Sequence, residues 1–266
     1  MENFQLFEFL PLWITFGGVV ALVLVSIVLG VYFAKARKKK VGVEDEGPIG
    51  TVVSATLGLL AFILAFTFGL TASRFDARRQ LLLDDATLIE TTAMRAELIP
   101  EPQRSDVRQI MKKYIELRLD MPSDAKEILE RVKQSEDLQR QLWAQAASLS
   151  NADLKNPDIV SLFIDSVNEL INVQTRRVSV ANYHIHWLIW LVLFGVTILS
   201  MMQVGYLFGR SGSSNWLFIV ALSLAFSGVM ILIIDLDRSG TSAVGSIRVS
   251  QQPIKDLHQR LYGPAR

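Results

Sequence analysis

Four long stretches of the sequence contain no Asp, Glu, Lys or Arg and consist mostly of apolar residues: 12–33, 50–72, 187–208 and 216–234. A helix needs about 20 such residues to cross the hydrocarbon core of a bilayer. Because lipid offers the backbone no hydrogen-bond partners, each stretch must satisfy its own amides by forming a helix. The chain is therefore predicted to be an all-α integral membrane protein with four transmembrane helices, and the lipid bilayer is its first partner.

The remaining composition excludes several classes of function. Hydrophobic residues make up 50% of the chain and charged residues 20%, with no cysteine, three histidines and a net charge of +1. This composition excludes disulfides and thiolate chemistry and gives no basis for binding nucleic acid. Phosphate-binding loops, zinc-protease motifs and nucleophile elbows are missing from the sequence. We predict a protein that is not an enzyme and needs no cofactor or metal.

The spans divide the chain into an N-terminal transmembrane hairpin (1–72), an insert (73–186), a C-terminal transmembrane hairpin (187–234) and a tail (235–266). The second span continues without a helix breaker to Pro100, which predicts one helix of nearly fifty residues. Further helices are predicted at 103–119 and 124–149, and from Asp158 toward the third span as its extension. We expect a helical stalk continuous with the spans. The tail should lie on it, with a short strand at 246–250 and a helix at 253–261.

The number of spans is even, so the insert and both termini share one side of the membrane. The two short loops, 34–49 and 209–215, carry six Lys or Arg residues, whereas the N-terminal segment carries none. By the positive-inside rule this favours an exterior insert. Arginines at both ends of the insert, 74, 78, 79, 176 and 177, favour the opposite orientation. We predict that the insert and both termini lie on the exterior side.

The second span has two notable faces. Small residues follow one another at steps of three or four along one face: Ser54, Gly58, Ala61, Ala65 and Gly69. Small residues let helices approach closely in lipid, so this face is predicted to pack against another helix. The neighbouring face carries Phe62 and Phe66, one turn apart. These rings either face lipid or a bundle core, or they form a hydrophobic constriction around the axis of an oligomer.

Charged residues beyond the spans offer weaker candidates. Asp84, Asp85 and Glu90 form an acidic cluster on the stalk, which either binds a cation with help from a second element or belongs to a salt-bridged helix surface. His184 and His186 lie on different helix faces and suit a membrane interface better than a metal site. The fourth span ends with Asp235, Asp237 and Arg238, on the same side of the membrane as Arg74 and Asp76 at the start of the stalk. A salt bridge between these two groups is predicted to hold the tail against the stalk.

Several segments resemble the bacterial bestrophin-like membrane proteins. They are AFILAFTFG at 61–69, RFDARR at 74–79, the acidic DDA at 84–86, EL at 97–98, DLDRSG at 235–240 and GSIRVSQQPI at 245–254. The resemblance extends over nearly the whole chain. It implies a multi-pass protein of the bacterial inner membrane. That family is named for its likeness to bestrophins, which are pentameric chloride channels with a phenylalanine-lined constriction. The resemblance therefore also implies such a constriction. It further implies a cytoplasmic insert, whereas the charges of the short loops predict an exterior one.

Two functions are compatible with these features. The first is an oligomeric, anion-channel-like pore lined by the second span, with Phe62 and Phe66 at its constriction. The second is a non-conducting membrane scaffold or envelope sensor whose helical stalk binds a protein partner. Ion flux through reconstituted protein distinguishes them.

Overall fold

The protein is described here by a computed structural model. It describes residues 10–41, 46–119, 125–150, 157–181, 185–211, 216–238 and 249–263. The helices are α1 (Leu12–Val41), α2 (Glu46–Ala96), α3 (Gln103–Leu119), α4 (Ala125–Ser150), α5 (Pro157–Ala181), α6 (Trp187–Ser211), α7 (Trp216–Asp237) and α8 (Gln252–Tyr262). Every regular element in these residues is helical, which confirms the all-α prediction. Helices α1, α2, α6 and α7 are each long and apolar enough to cross a membrane.

The chain divides into two compact units. A membrane unit comprises Met1–Phe75 and His184–Arg248, and a helical unit comprises Asp76–Tyr183 and Val249–Arg266. The boundary falls within α2, whose 51 residues form one uninterrupted helix, as the lack of a breaker before Pro100 predicts. The described residues of the tail are divided as well, because 235–238 group with the membrane unit and α8 groups with the helical unit.

The membrane unit is held together most closely between α1 and α6. A Cβ added to Gly205 would overlap the backbone of Ile27, and one added to Gly30 would overlap the backbone of Met202. At Gly209 the added atom would lie 2.7 Å from the Cβ of Ala34. The two helices therefore contact each other backbone to backbone, which only glycine permits.

Ion pairs and hydrogen bonds join the ends of the helices in the membrane unit. Arg74 on α2 lies 3.7 Å from a carboxylate oxygen of Asp237 at the end of α7, and this confirms the predicted salt bridge. The same oxygen accepts a hydrogen bond from the backbone N–H of Ile185 at 3.1 Å. Arg238 donates to the carbonyl of Leu10 at 3.2 Å. The end of α7 thus connects α2, the start of α6 and the start of α1.

The helical unit has its own core, in which Tyr114 and Phe163 are the largest fully buried side chains. It is built from α3, α4, α5, α8 and the second part of α2. The apolar face of α8 contributes Ile254 and Leu257 to this core. The predicted helix at 253–261 is therefore confirmed, and it packs against α3.

Two predictions about the connections need correction. The third span is not a continuation of the preceding helix, because α5 ends at Ala181 and Ile185 and His186 are not helical. His186 instead accepts a hydrogen bond from the N–H of Leu188 on its Nδ1, at 3.3 Å, and so satisfies a free donor at the start of α6. Of the predicted strand at 246–250, Val249 and Ser250 are not in a strand, and the remainder lies outside the described residues, as does His184.

Candidate functional site: the outward face of the second membrane helix

The membrane-spanning part of α2 packs on the rest of its unit through one face only. Its buried residues recur at steps of three, four or seven: Val53, Leu60, Leu64, Thr67 and Thr71. Against α6, the hydroxyl of Thr56 donates to the side-chain oxygen of Gln203 at 2.6 Å. Only 17% of the residues in the apolar segment of α2 are buried, compared with 33% in the corresponding segment of each of the other three membrane helices. Most of the surface of this helix therefore faces away from its own chain.

Phe62 and Phe66 lie on this outward surface. Their side chains are 68% and 61% exposed. The ring centroids are 6.5 Å apart and the ring planes differ by 15°, so the two rings stack along the helix. The one-turn spacing in the sequence is thus realised as a continuous apolar ridge, and the rings do not fill the core of their own bundle.

The small residues beside the phenylalanines are also exposed: Ser54, Gly58, Ala61, Ala65 and Gly69. A Cβ added to Gly58 or to Gly69 would meet nothing within 4 Å. No helix of the described chain covers this face, so the predicted packing needs a partner from outside the chain.

The glycine contact that the chain does make, at Gly205 and Gly209, could have been predicted from their four-residue spacing in an apolar span.

The hydroxyl groups near the phenylalanines are mostly satisfied within the helix. Thr67 donates to the carbonyl of Ile63 at 2.7 Å, and Thr71 donates to that of Phe68 at 2.9 Å. Both threonines are buried, on the face opposite the aromatic ridge. In the membrane unit, the first charged side chain that follows them is Arg74, which is paired with Asp237.

The acidic cluster predicted on the stalk does not converge on one point. Asp84 is exposed and accepts a hydrogen bond from Gln80 at 3.1 Å. Asp85 is fully buried and pairs with Arg177. Glu90 pairs with Arg260 of α8 at 2.9 Å. The three carboxylates have different partners, and within the described ranges no group of three His, Asp or Glu residues is placed to hold a metal ion.

Comparison with known proteins places this arrangement in a family. The sequence matches the model of the bestrophin-like domain over residues 17–254. The chain belongs to the bestrophin-like family. The fold agrees with this assignment, because solved structures of a bacterial bestrophin homologue share it.

The structural similarity covers nearly the whole chain. A mutated form of a bacterial bestrophin homologue from Klebsiella pneumoniae has a TM-score of 0.67 at 14% identity, covering 93% of this chain and 98% of that one. A second structure of the homologue has a TM-score of 0.66 at 14% identity, covering 91% and 97%. A crystal structure described as a membrane protein has 0.68 at 14% identity, covering 94% and 99%. No curated protein sequence matches the chain. This bestrophin-like protein is therefore a multi-pass membrane protein with the fold of those structures.

Proposed function

We propose that this bestrophin-like protein assembles from several copies into a pore for small anions in the bacterial inner membrane. The observation that carries the proposal is the outward ridge of Phe62 and Phe66, whose rings are 68% and 61% exposed on the least buried of the four spans. Copies arranged around an axis with this ridge inward would place a ring of phenylalanines at each of two levels. Such rings control conduction by excluding water from a narrow passage.

The face of small residues explains how the copies would approach one another. Helices associate in lipid by close packing, because burying apolar surface gains little there. Gly58 and Gly69 have free space above their backbone, as a contact with the α2 helix of a second copy requires. This face adjoins the aromatic ridge, so pairing α2 helices through it would orient the phenylalanines toward a common axis.

The preference for anions follows from which charges lie next to the span. Residues 50–72 contain no carboxylate that would attract a cation into the pore. Thr51 and Ser54 supply hydroxyl donors at one end, and Arg74 lies at the other end of the span. Because Asp237 offsets part of the Arg74 charge, we expect modest selectivity for anions over cations. Relatives named bestrophin homologues support the assignment as a pore.

The decisive experiment is ion flux through the purified full-length protein in liposomes. The double variant Phe62→Ala, Phe66→Ala should raise the chloride flux about tenfold or more, because two apolar rings are removed from the constriction. Phe218→Ala is the matched control: Phe218 is also a phenylalanine with a 60% exposed side chain on a membrane helix, but it lies on α7. That variant should conduct as the unchanged protein does.

Each outcome bears on a different part of the proposal. If verified reconstituted protein conducts no ion, and the double variant also conducts none, the pore is wrong and a non-conducting scaffold replaces it. If the reversal potential in a salt gradient lies near the equilibrium potential of the cation, the protein is a pore but its predicted preference for anions is wrong. Equal flux through the Phe218 variant and the double variant would show that the constriction lies elsewhere.

A further inference from the structure

The helical unit contains a buried cluster of charged side chains, formed by Asp85 of α2, Arg118 of α3 and Arg177 of α5. Asp85 has no exposed surface, and the side chains of Arg118 and Arg177 are 12% and 22% exposed. Arg177 donates a hydrogen bond to one carboxylate oxygen of Asp85, and a terminal nitrogen of Arg118 lies 3.9 Å from the same oxygen. One carboxylate thus serves two guanidinium groups.

Neutral polar groups complete the cluster. Arg118 donates to the hydroxyl of Tyr114 at 2.7 Å and to the side-chain oxygen of Gln174. Its guanidinium carbon also lies 5.0 Å from the centroid of the Tyr114 ring. Gln139 donates to the same hydroxyl at 3.2 Å. Burial raises the pKa of Tyr114, so this phenol stays neutral at pH 7 and supplies no negative charge.

Among the described residues, the cluster therefore has one positive charge in excess. Guanidinium groups remain protonated in proteins, so Arg118 and Arg177 each carry a positive charge. Asp85 is the single carboxylate that pairs with them among the described residues. The pKa of Arg177 is lowered because burial and the neighbouring charge of Arg118 disfavour its cation more than Asp85 favours it. A buried charge without a counter-charge is costly, and proteins normally pair it.

Two polar atoms in the cluster have no hydrogen-bond partner in the described part of the chain. Nε of Arg118 is a buried donor, and Oδ1 of Asp85 is a buried acceptor. An anion next to Arg118 would accept from Nε and neutralise the excess charge. A water molecule that hydrates the anion would donate to Oδ1 of Asp85.

We propose that the helical unit binds one small monovalent anion of the halide class between Arg118 and Arg177. The charge matches, because one excess positive charge calls for a monovalent ion. A small ion is required, because the side chains of the two arginines expose little surface to solvent and so leave narrow access for a larger anion. The site lies within the helical unit and does not depend on the proposed pore.

The test is the melting temperature of the purified full-length protein in detergent, measured at equal ionic strength in about 150 mM sodium chloride or sodium gluconate. Gluconate carries the same charge as chloride but is much larger, so we expect the low exposure of the two arginines to exclude it. Chloride should raise the melting temperature of the unchanged protein by about 2–4 °C relative to gluconate, as expected for a ligand present at several times its Kd. Arg118→Gln leaves a neutral Asp85–Arg177 pair and should abolish the difference.

The matched control is Arg108→Gln, since Arg108 also lies on α3 but forms an exposed pair with Glu97. This variant should keep the full difference between the two salts. A second measurement uses crystals of the unchanged protein in which bromide replaces chloride. The anomalous diffraction of bromide should give a peak between Arg118 and Arg177. The proposal is overturned if the two salts give equal melting temperatures, if the difference persists in Arg118→Gln, or if no bromide peak lies at the cluster.

Discussion

The carboxylate of Asp85 on α2 pairs with the guanidinium of Arg177 on α5, and no part of the Asp85 side chain is exposed. Its neighbour Asp84 is exposed and bonded only to Gln80 of the same helix among the described contacts. The two adjacent acidic residues therefore have different roles, since one connects α2 to the core and the other lies in solvent.

Asp85→Asn should destabilise the protein by about 3–5 kcal/mol, because it leaves two buried guanidinium groups without their carboxylate. Asp84→Asn should change the free energy of unfolding by no more than about 0.5 kcal/mol, as is usual for an exposed position. Chemical denaturation of the full-length protein in detergent measures both. Equal losses for the two variants would contradict the difference in burial.

Gly205→Ala should weaken the membrane unit by about 1–3 kcal/mol, because the added methyl group forces α6 away from the backbone of Ile27. The control is Gly195→Ala, on the same helix, where an added Cβ meets nothing within 4 Å. That variant should be neutral or slightly stabilising, since alanine favours the helix. Thermal unfolding in detergent distinguishes them, and a Gly205 variant as stable as the control would show that α1 and α6 do not touch there.

Gly58→Leu should dissociate the proposed oligomer while leaving the fold of each copy intact. Within its own chain Gly58 has open space, so the larger side chain clashes only if a second copy lies against this face. Gly17→Leu is the control, because an added Cβ at Gly17 on α1 also meets nothing within 4 Å. Light scattering on the purified protein gives the number of copies. An unchanged number for Gly58→Leu would remove the small-residue face from the interface.

The predicted exterior position of the insert can be tested with single cysteines, because the natural chain has none. Ser105→Cys in the insert should react with a membrane-impermeant thiol reagent in intact cells, and Ser213→Cys in the loop between the third and fourth spans should not. Ser105 is exposed, so lack of reaction there would reflect its side of the membrane. The reverse labelling pattern would place the insert in the cytoplasm.

The elements of this fold could be predicted from local patterns. Charge-free apolar stretches define the four spans, and the lack of a breaker before Pro100 gives the length of α2. The break before α6 is not predictable from local patterns, because the contact made there joins residues distant in sequence. The N–H of Ile185 bonds to Asp237, and no pattern around residue 185 shows that partner.

The sequence by itself determined that the chain spans the membrane four times and that Phe62 and Phe66 lie one turn apart, since both follow from composition and helical periodicity. Only the tertiary structure decided which faces are covered. It places Gly205 against Ile27, leaves Gly58 open and buries Asp85 beside two arginines. Helical periodicity shows which residues share a face, but it does not show what covers that face, because packing joins helices that are far apart in the chain.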